Sequence, residues 1–305
     1  MRPRFESAQG YILKDFSHMI DKYISMDYYE PSPEMEFQER YINLFSEIEK
    51  SLKRILNFEK SHENPKNWVK IFAEGNNIYF KTPALVNVIL NYKIALENGL
   101  RLDSKKYVEF SQKIALKYTH NTIKNSQDLY IKAISLVKDI YALKDGSIEC
   151  LKDFKNKIPE ELRGFIYTSK KDKYTWMASH PKRIICLADK INKKSKIDLI
   201  VGTAHGSIIS ATLLSNMLGS DIYFVRFSHF KRNDNNPIIS DSDMEHLSDY
   251  KGKNVLFFDE DLASGKTLKN LEKRLNPIFI NHHTGSVIEH YLSDCPEFVA
   301  ETLFD

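Results

Sequence analysis

The chain has 305 residues, 42% of them hydrophobic and 28% charged, with a formal net charge of +3. That composition is globular and excludes a disordered or fibrous chain. No apolar run approaches the roughly 20 residues needed to cross a bilayer, and Met1–Phe16 lacks the apolar block of a signal peptide, so a soluble cytoplasmic protein without membrane contact is expected. The three cysteines, Cys150, Cys186 and Cys295, are far apart and show no metal-ligand spacing, which points to reduced structural thiols.

Residues 34–60 place Phe37, Tyr41, Leu44, Ile48, Leu52 and Ile55 at three- and four-residue intervals, the stripe of an amphipathic helix. Similar stripes predict helices at 84–98, stopped by Gly99, at 104–118, and at 127–143 before Gly146. Residues 1–150 therefore read as an all-helical domain, with loops at the Pro31/Pro33, Asn64-Pro65 and Thr82-Pro83 steps. After Gly146 short β-rich runs appear at 164–168, 198–202, 221–227, 254–258 and 277–280, with helical stretches between several of them. One such helix has Pro181 near its first turn and Ile184, Ile185, Leu187, Ala188 and Ile191 on its apolar face. The alternation signals a parallel α/β sheet in residues 151–305, with the boundary near 146–158.

Charge is unevenly spread. Residues 151–196 hold 13 Lys+Arg against 5 Asp+Glu, and residues 197–305 hold 9 against 16. The basic stretch 151–196 is open to two readings, a nucleic-acid contact or a solvated lysine surface.

The most informative segment is Val255-Leu256-Phe257-Phe258-Asp259-Glu260-Asp261-Leu262-Ala263-Ser264-Gly265-Lys266-Thr267-Leu268. Its apolar run reads as a buried central strand that delivers Asp259 and Glu260 to the carboxyl end of the sheet, where open α/β sheets form their ligand crevice. Two adjacent carboxylates there suit ribose hydroxyls and a hydrated Mg2+ ion. In the turn Ala263–Thr267, backbone N–H groups, two hydroxyls and a helix N-terminus converge as a phosphate cradle. A nucleotide-binding P-loop would also use Gly265-Lys266-Thr267, but its first glycine falls on Glu260, whose charge repels phosphates. A second segment, Asp198–Ser207, has a strand followed by Gly202, Thr203, Ala204, His205 and Gly206, with glycines that let backbone approach an anion and Ser207 placed to cap the next helix. His205 sits where it can donate to a phosphate or stand by as a turn residue. A third stretch, between Arg226 and Asn254, breaks the βα rhythm with Arg226, His229, Lys231 and Arg232 before a polar run.

The order strand, acid, acid, small turn, Thr, helix resembles the phosphoribosyl pyrophosphate (PRPP) signature of type I phosphoribosyltransferases. The resemblance spans about residues 180–281 and leaves the helical half unrecognised. It implies a type I phosphoribosyltransferase-like α/β domain that binds PRPP with Mg2+ and transfers phosphoribosyl to a nucleobase or other nitrogen acceptor, with release of pyrophosphate. By that likeness Asp259 and Glu260 hold the ribose and the metal, and Ala263–Thr267 anchors the 5′-phosphate. Gly202–Gly206 then grips pyrophosphate, while Arg226, Lys231 and Arg232 neutralise it from a flexible, partly hairpin-like loop that closes over the activated sugar. The alternative is a merely solvated loop. Arg226, His229 and Lys231 are the candidate catalytic residues of this stretch. The family pattern is broken at Ala263, where purine-using relatives often carry an Asp that handles the base proton, and at Asp261, which replaces an apolar residue. Proton transfer then falls to His229 or Asp234. The aromatic residues Tyr167, Tyr174 and Trp176 are open to stacking on a base or to core packing. His282 and His283, lacking a third ligand at useful spacing, are a weak metal signal. Two other function classes compete: a non-catalytic PRPP-sensing regulator, and a bacterial conflict or stress effector that modifies nucleotides or RNA. The resemblance also leaves room for a homodimer.

Overall fold

Leu199–Ala204 opens with three branched apolar residues and is buried at every position, as a strand covered on both faces must be. In the computed structural model, which describes residues 19–27, 30–61, 68–102, 110–111, 117–227, 234–291 and 296–304, this strand (β5) forms the heart of a five-stranded parallel sheet. Its neighbours are β6 (Asp221–Arg226) on one side and β7 (Val255–Leu262) on the other. The strands β8 (His282–His290) and β9 (Phe298–Leu303) extend the sheet beyond β7, giving the order β6-β5-β7-β8-β9. The crossovers are helical: α9 (Ile208–Leu218) joins β5 to β6, α10 (Asp241–Ser248) joins β6 to β7, and α11 (Lys266–Leu275) joins β7 to β8. All five strands end on the same side of the sheet, which creates the crevice at their carboxyl ends.

The amino-terminal half is mainly helical: α1 (Tyr41–Ser61), α2 (Trp68–Lys81), α3 (Pro83–Glu97) and α4 (His120–Tyr141). These helices and the sheet share one contiguous apolar core. Buried tyrosines stitch the layers together, each by a hydroxyl that donates to a distant carbonyl: Tyr79 to Ser179 at 2.8 Å, Tyr130 to Phe224 at 2.6 Å and Tyr141 to Tyr79 at 2.6 Å. Residues 146–158, the expected boundary, hold α5 (Ser147–Asn156). A short α6 (Glu160–Arg163), α7 (Lys173–Ala178) and α8 (Pro181–Asn192) follow, α8 being the helix expected from its Pro181 start.

The fold class is as the sequence indicates, a parallel α/β sheet preceded by helices, but several elements differ. Helix α1 begins at Tyr41 and not at 34, because Phe37–Arg40 (β1) pairs antiparallel with β4 (Ile166–Ser169) and Phe37 packs its ring 5.8 Å from that of Tyr167. A helical stripe and a half-buried strand share apolar positions over so short a stretch, and the pairing partner decides between them. Within the expected helix 104–118, residues 110–111 form β3, which pairs with β2 (Arg101–Leu102); residues 103–109 and 112–116 lie outside the described residues. The expected strand at 277–280 is a turn: Ile278 and Phe279 amides fold back on the Leu275 carbonyl, and Phe279 is buried beside Phe257. The strand begins five residues later than expected, at His282, and β9 carried no sequence signal. Finally, Arg226–Asn254 keeps the βα rhythm through α10, which opens with a capping box between Ser240 and Asp243.

Candidate functional site

Strand β7 carries its apolar run to the sheet centre and then emerges at the crevice: Asp259 is 8% exposed and Glu260 is half-buried. Its neighbour β5 ends in the loop Ala204–Ser207, whose Ala204–His205 peptide is cis. The Thr203 hydroxyl donates to Asp259 Oδ1 at 2.5 Å. On the neighbouring position, a Cβ added at Gly206 would land on the Glu260 carboxylate. Glycine at 206 is thus what lets the loop lie directly against the second acid. Gly202 is similarly hemmed in, since a Cβ there would come within 2.9 Å of Ser207 Oγ and 3.1 Å of the Phe224 ring.

After Leu262 the chain turns through exposed Ala263 and Ser264 into Gly265, whose φ of +70° is the left-handed conformation that glycine adopts without strain. Gly265 caps α11, and the exposed Lys266 is that helix's first residue. The first-turn amides of a helix have no partners within it, so the turn offers free backbone donors in the same short segment as the Ser264 and Thr267 hydroxyls and the Lys266 ammonium. Ser207 does not cap α9 as expected; its hydroxyl donates back to the Thr203 carbonyl, which stiffens the loop instead.

The other sequence candidates are placed as follows. Arg226 stands at the end of β6 opposite Ala204, is 2% exposed, and donates through Nη2 to Asn87 Oδ1 and, at 2.7 Å, to Asn91 Oδ1 of α3. His205 Nε2 lies 2.7 Å from the Tyr167 hydroxyl, which ties β4 to the β5 loop. His229, Lys231 and Arg232 lie outside the described residues. Trp176 belongs to the core: it is 1% exposed, stacks on Phe80 and donates its indole N–H to the Asp27 carbonyl at 2.8 Å. Tyr174 is partly exposed and meets the His290 ring edge-on at 4.9 Å. His282 and His283 open β8 at the far end from the crevice and pair with Glu272 at 2.9 Å and Glu297 at 2.7 Å.

Two features were not foreseen. His290 Nε2, at the end of β8, lies 3.2 Å from Asp261 Oδ1, so the acid in an ordinarily apolar place has an imidazole partner. Burial pushes the Asp261 carboxyl up to about 6; His290 opposes the rise and Asp259 adds to it. The second feature is the set of polar residues Asn87, Asn91 and Lys93 inside α3, a helix buried on nearly every side. Buried polar groups require partners, and polar residues within an otherwise apolar helix are the one sequence signal that pointed to them.

Among the described residues no group of three or more His, Cys, Asp or Glu side chains is arranged to hold a metal ion. Asp259 and Glu260 are a two-carboxylate oxygen set, which fits a hydrated magnesium that completes its shell with water and substrate phosphates. No helix among the described residues is long and apolar enough to cross a membrane.

No protein-family model matches the sequence, and no curated protein is significantly similar to it. Among solved structures, the chain is similar to a hypothetical protein from Neisseria gonorrhoeae with bound ppGpp, at 24% identity and a TM-score of 0.35 over 40% of this chain and 78% of that one. It is similar to a purine phosphoribosyltransferase from Pyrococcus horikoshii, at 21% identity and a TM-score of 0.34 over 41% and 83% of the two chains. A hypoxanthine-guanine phosphoribosyltransferase from Bacillus anthracis matches at 15% identity and a TM-score of 0.33 over 42% and 80%. These likenesses fall in the C-terminal part of the chain and leave the helical half unmatched.

Proposed function

We propose that the carboxyl end of the sheet binds PRPP with Mg2+ and transfers its phosphoribosyl group to a nitrogen of a nucleobase-like acceptor, releasing pyrophosphate. The observation that carries this reading is the meeting of the two loops, with Thr203 on Asp259 and Gly206 against Glu260, next in the chain to a turn whose Ala263, Ser264 and Lys266 are exposed. Cleavage of the C1–pyrophosphate bond builds positive charge on the ribose ring and negative charge on the leaving group. Asp259 and Glu260 answer the first by holding the ribose hydroxyls and favouring the cationic ring. The turn Ala263–Thr267 anchors the 5′-phosphate, so binding energy remote from C1 fixes the reacting carbon. Amides of Gly202–Gly206 face the pyrophosphate. When bound, magnesium supplies charge neutralisation for the leaving group.

A non-catalytic sensor is the second reading, favoured by Ala263, which puts no carboxylate in the turn where a base proton would be taken up. Calorimetric titration with PRPP and magnesium tests the shared part of both. Asp259→Asn with Glu260→Gln is expected to abolish magnesium-dependent PRPP binding while circular dichroism stays unchanged; unaltered affinity in that folded variant would remove the role of both acids. Pyrophosphate release in a screen of bases, nucleotides and RNA separates enzyme from sensor.

A further inference from the structure

Strands β8 and β9 end side by side, with His290 opposite Leu303 and the Tyr291 amide donating to the Leu303 carbonyl at 2.9 Å. One residue further, the rings of Tyr291 and Phe304 lie against each other, centroids 5.3 Å apart and planes inclined by 38°. Yet Tyr291 is 66% and Phe304 80% exposed. Two large rings held in place by a strand end while their faces stay in water form a platform, and not a piece of core.

Cations stand on the segment that packs beside the end of β8 through Tyr174 and His290. Lys170, Lys171 and Lys173, in the segment from β4 into α7, are exposed, and none makes an ion pair among the described residues. Lys173 Nζ lies 5.5 Å from the Tyr174 ring centroid, and Tyr174 in turn meets His290. His290 contacts Asp261, two residues past Asp259. Contacts therefore run from Lys173 through Tyr174 and His290 to Asp261, and Tyr291 and Phe304 follow directly after His290 and Leu303 at the same carboxyl edge of the sheet.

We infer that this rim binds single-stranded nucleic acid and so presents a base of the strand to the phosphoribosyl site. The strand-binding part stands on the rim alone, and the acceptor role rests on the function proposed above. Aromatic faces accept any base by stacking, while lysines follow the phosphates. A free base needs an enclosing apolar pocket, and a protein partner needs a broad apolar patch with a polar border. Two solvent-facing rings beside solvated lysines match neither. The lysines of this rim belong to the segment 151–196, where 13 Lys+Arg stand against 5 Asp+Glu.

The test uses the full chain and fluorescence anisotropy with fluorescein-labelled single-stranded oligouridine or oligothymidine of about 12 nucleotides, long enough for one binding site. Binding of at least one strand is expected, weakening as salt rises. Tyr291→Ala with Phe304→Ala should lower affinity about tenfold, as loss of base stacking does. Lys170→Ala, Lys171→Ala and Lys173→Ala together should reduce the slope of log affinity against log salt by about 2. Failure of the wild-type protein to bind either strand at low salt overturns the inference, as does binding that both variants leave intact. Displacement by uridine monophosphate as effective as by unlabelled strand overturns the commitment to a strand. Self-association in sedimentation that Tyr291→Ala abolishes would instead assign the rim to a second copy. PRPP titrations on the same samples keep the two readings apart: strand binding without PRPP binding sinks the proposed reaction alone, and PRPP binding without strand binding sinks the rim alone.

Discussion

Lys93 Nζ lies 2.8 Å from Asp243 Oδ1, with the lysine side chain fully buried and the aspartate 3% exposed. The same ammonium is 3.0 Å from Glu97 Oε1 and 3.0 Å from Ser240 Oγ, so one cation serves two carboxylates and the cap of α10. Asp243 also accepts from the Tyr223 hydroxyl at the sheet edge. Two residues nearer the start of α3, Asn91 joins Asn87 in holding Arg226. Helix α3 thus grips the chain on both sides of the segment between β6 and α10.

Removing the cation from this network leaves Asp243 and Glu97 buried without their counter-charge. Lys93→Met is expected to destabilise the protein by about 3–5 kcal/mol, since breaking a buried pair costs far more than the pair's net worth. Thermal denaturation reads the loss, and hydrogen exchange should accelerate in Asp241–Ser248 before it does in β5. Unchanged melting would show that the charges find another partner.

Gly206→Ala tests the closeness of the two loops. The new methyl must displace the Glu260 carboxylate, which is the far end of a flexible side chain and can swing away. Stability should therefore change by less than about 1 kcal/mol. Magnesium-dependent PRPP affinity, measured by calorimetry, should fall at least about tenfold, a loss of 1.4 kcal/mol of ligand interaction.

Asp261→Asn should alter the pH dependence of stability. The Asp261 carboxyl is raised by burial from 3.8 to about 6, so the folded state holds this proton more tightly than the unfolded chain does. The stability linked to it is complete below the unfolded value and is lost as pH rises through the folded one. Asparagine has no proton to lose. The variant should match the wild type at about pH 4 and melt higher at about pH 7.5, by no more than about 3 kcal/mol of stability. An equal or lower melting temperature at the higher pH would show that the His290 contact outweighs the cost of burial.

Gly75→Ala should be costly for another reason. Its Cβ would fall on the backbone carbonyl of Tyr23, and backbone cannot swing aside as a carboxylate does. A loss of about 1–3 kcal/mol is expected in chemical denaturation, as for other overpacked sites. The effect should not reach PRPP binding, because the atoms that the new methyl would meet all belong to Tyr23, outside the candidate site.

What the sequence by itself determined is local. The run Val255–Phe258 followed by two acids and a glycine turn encodes a buried strand, its exit into the crevice and the start of the next helix, because strand, turn and helix preferences all act over a few residues. The helix from Pro181 and the strands at 199 and 221 were legible for the same reason. Only the tertiary structure decided that Phe37–Arg40 is a strand, since its partner Ile166–Ser169 lies some 130 residues away and a four-residue stretch fits either period. It also decided where polar side chains go. Arg226 was readable as a cation at a strand end, but its two amide partners come from a helix about 135 residues earlier, and nothing local encodes that meeting. Likewise Gly206 and Glu260 each look permissive in sequence, and the contact between them exists because β5 and β7 are neighbours in the sheet. Local propensity sets which elements form, whereas pairing between distant elements, governed by the fit of whole faces, sets which side chains meet.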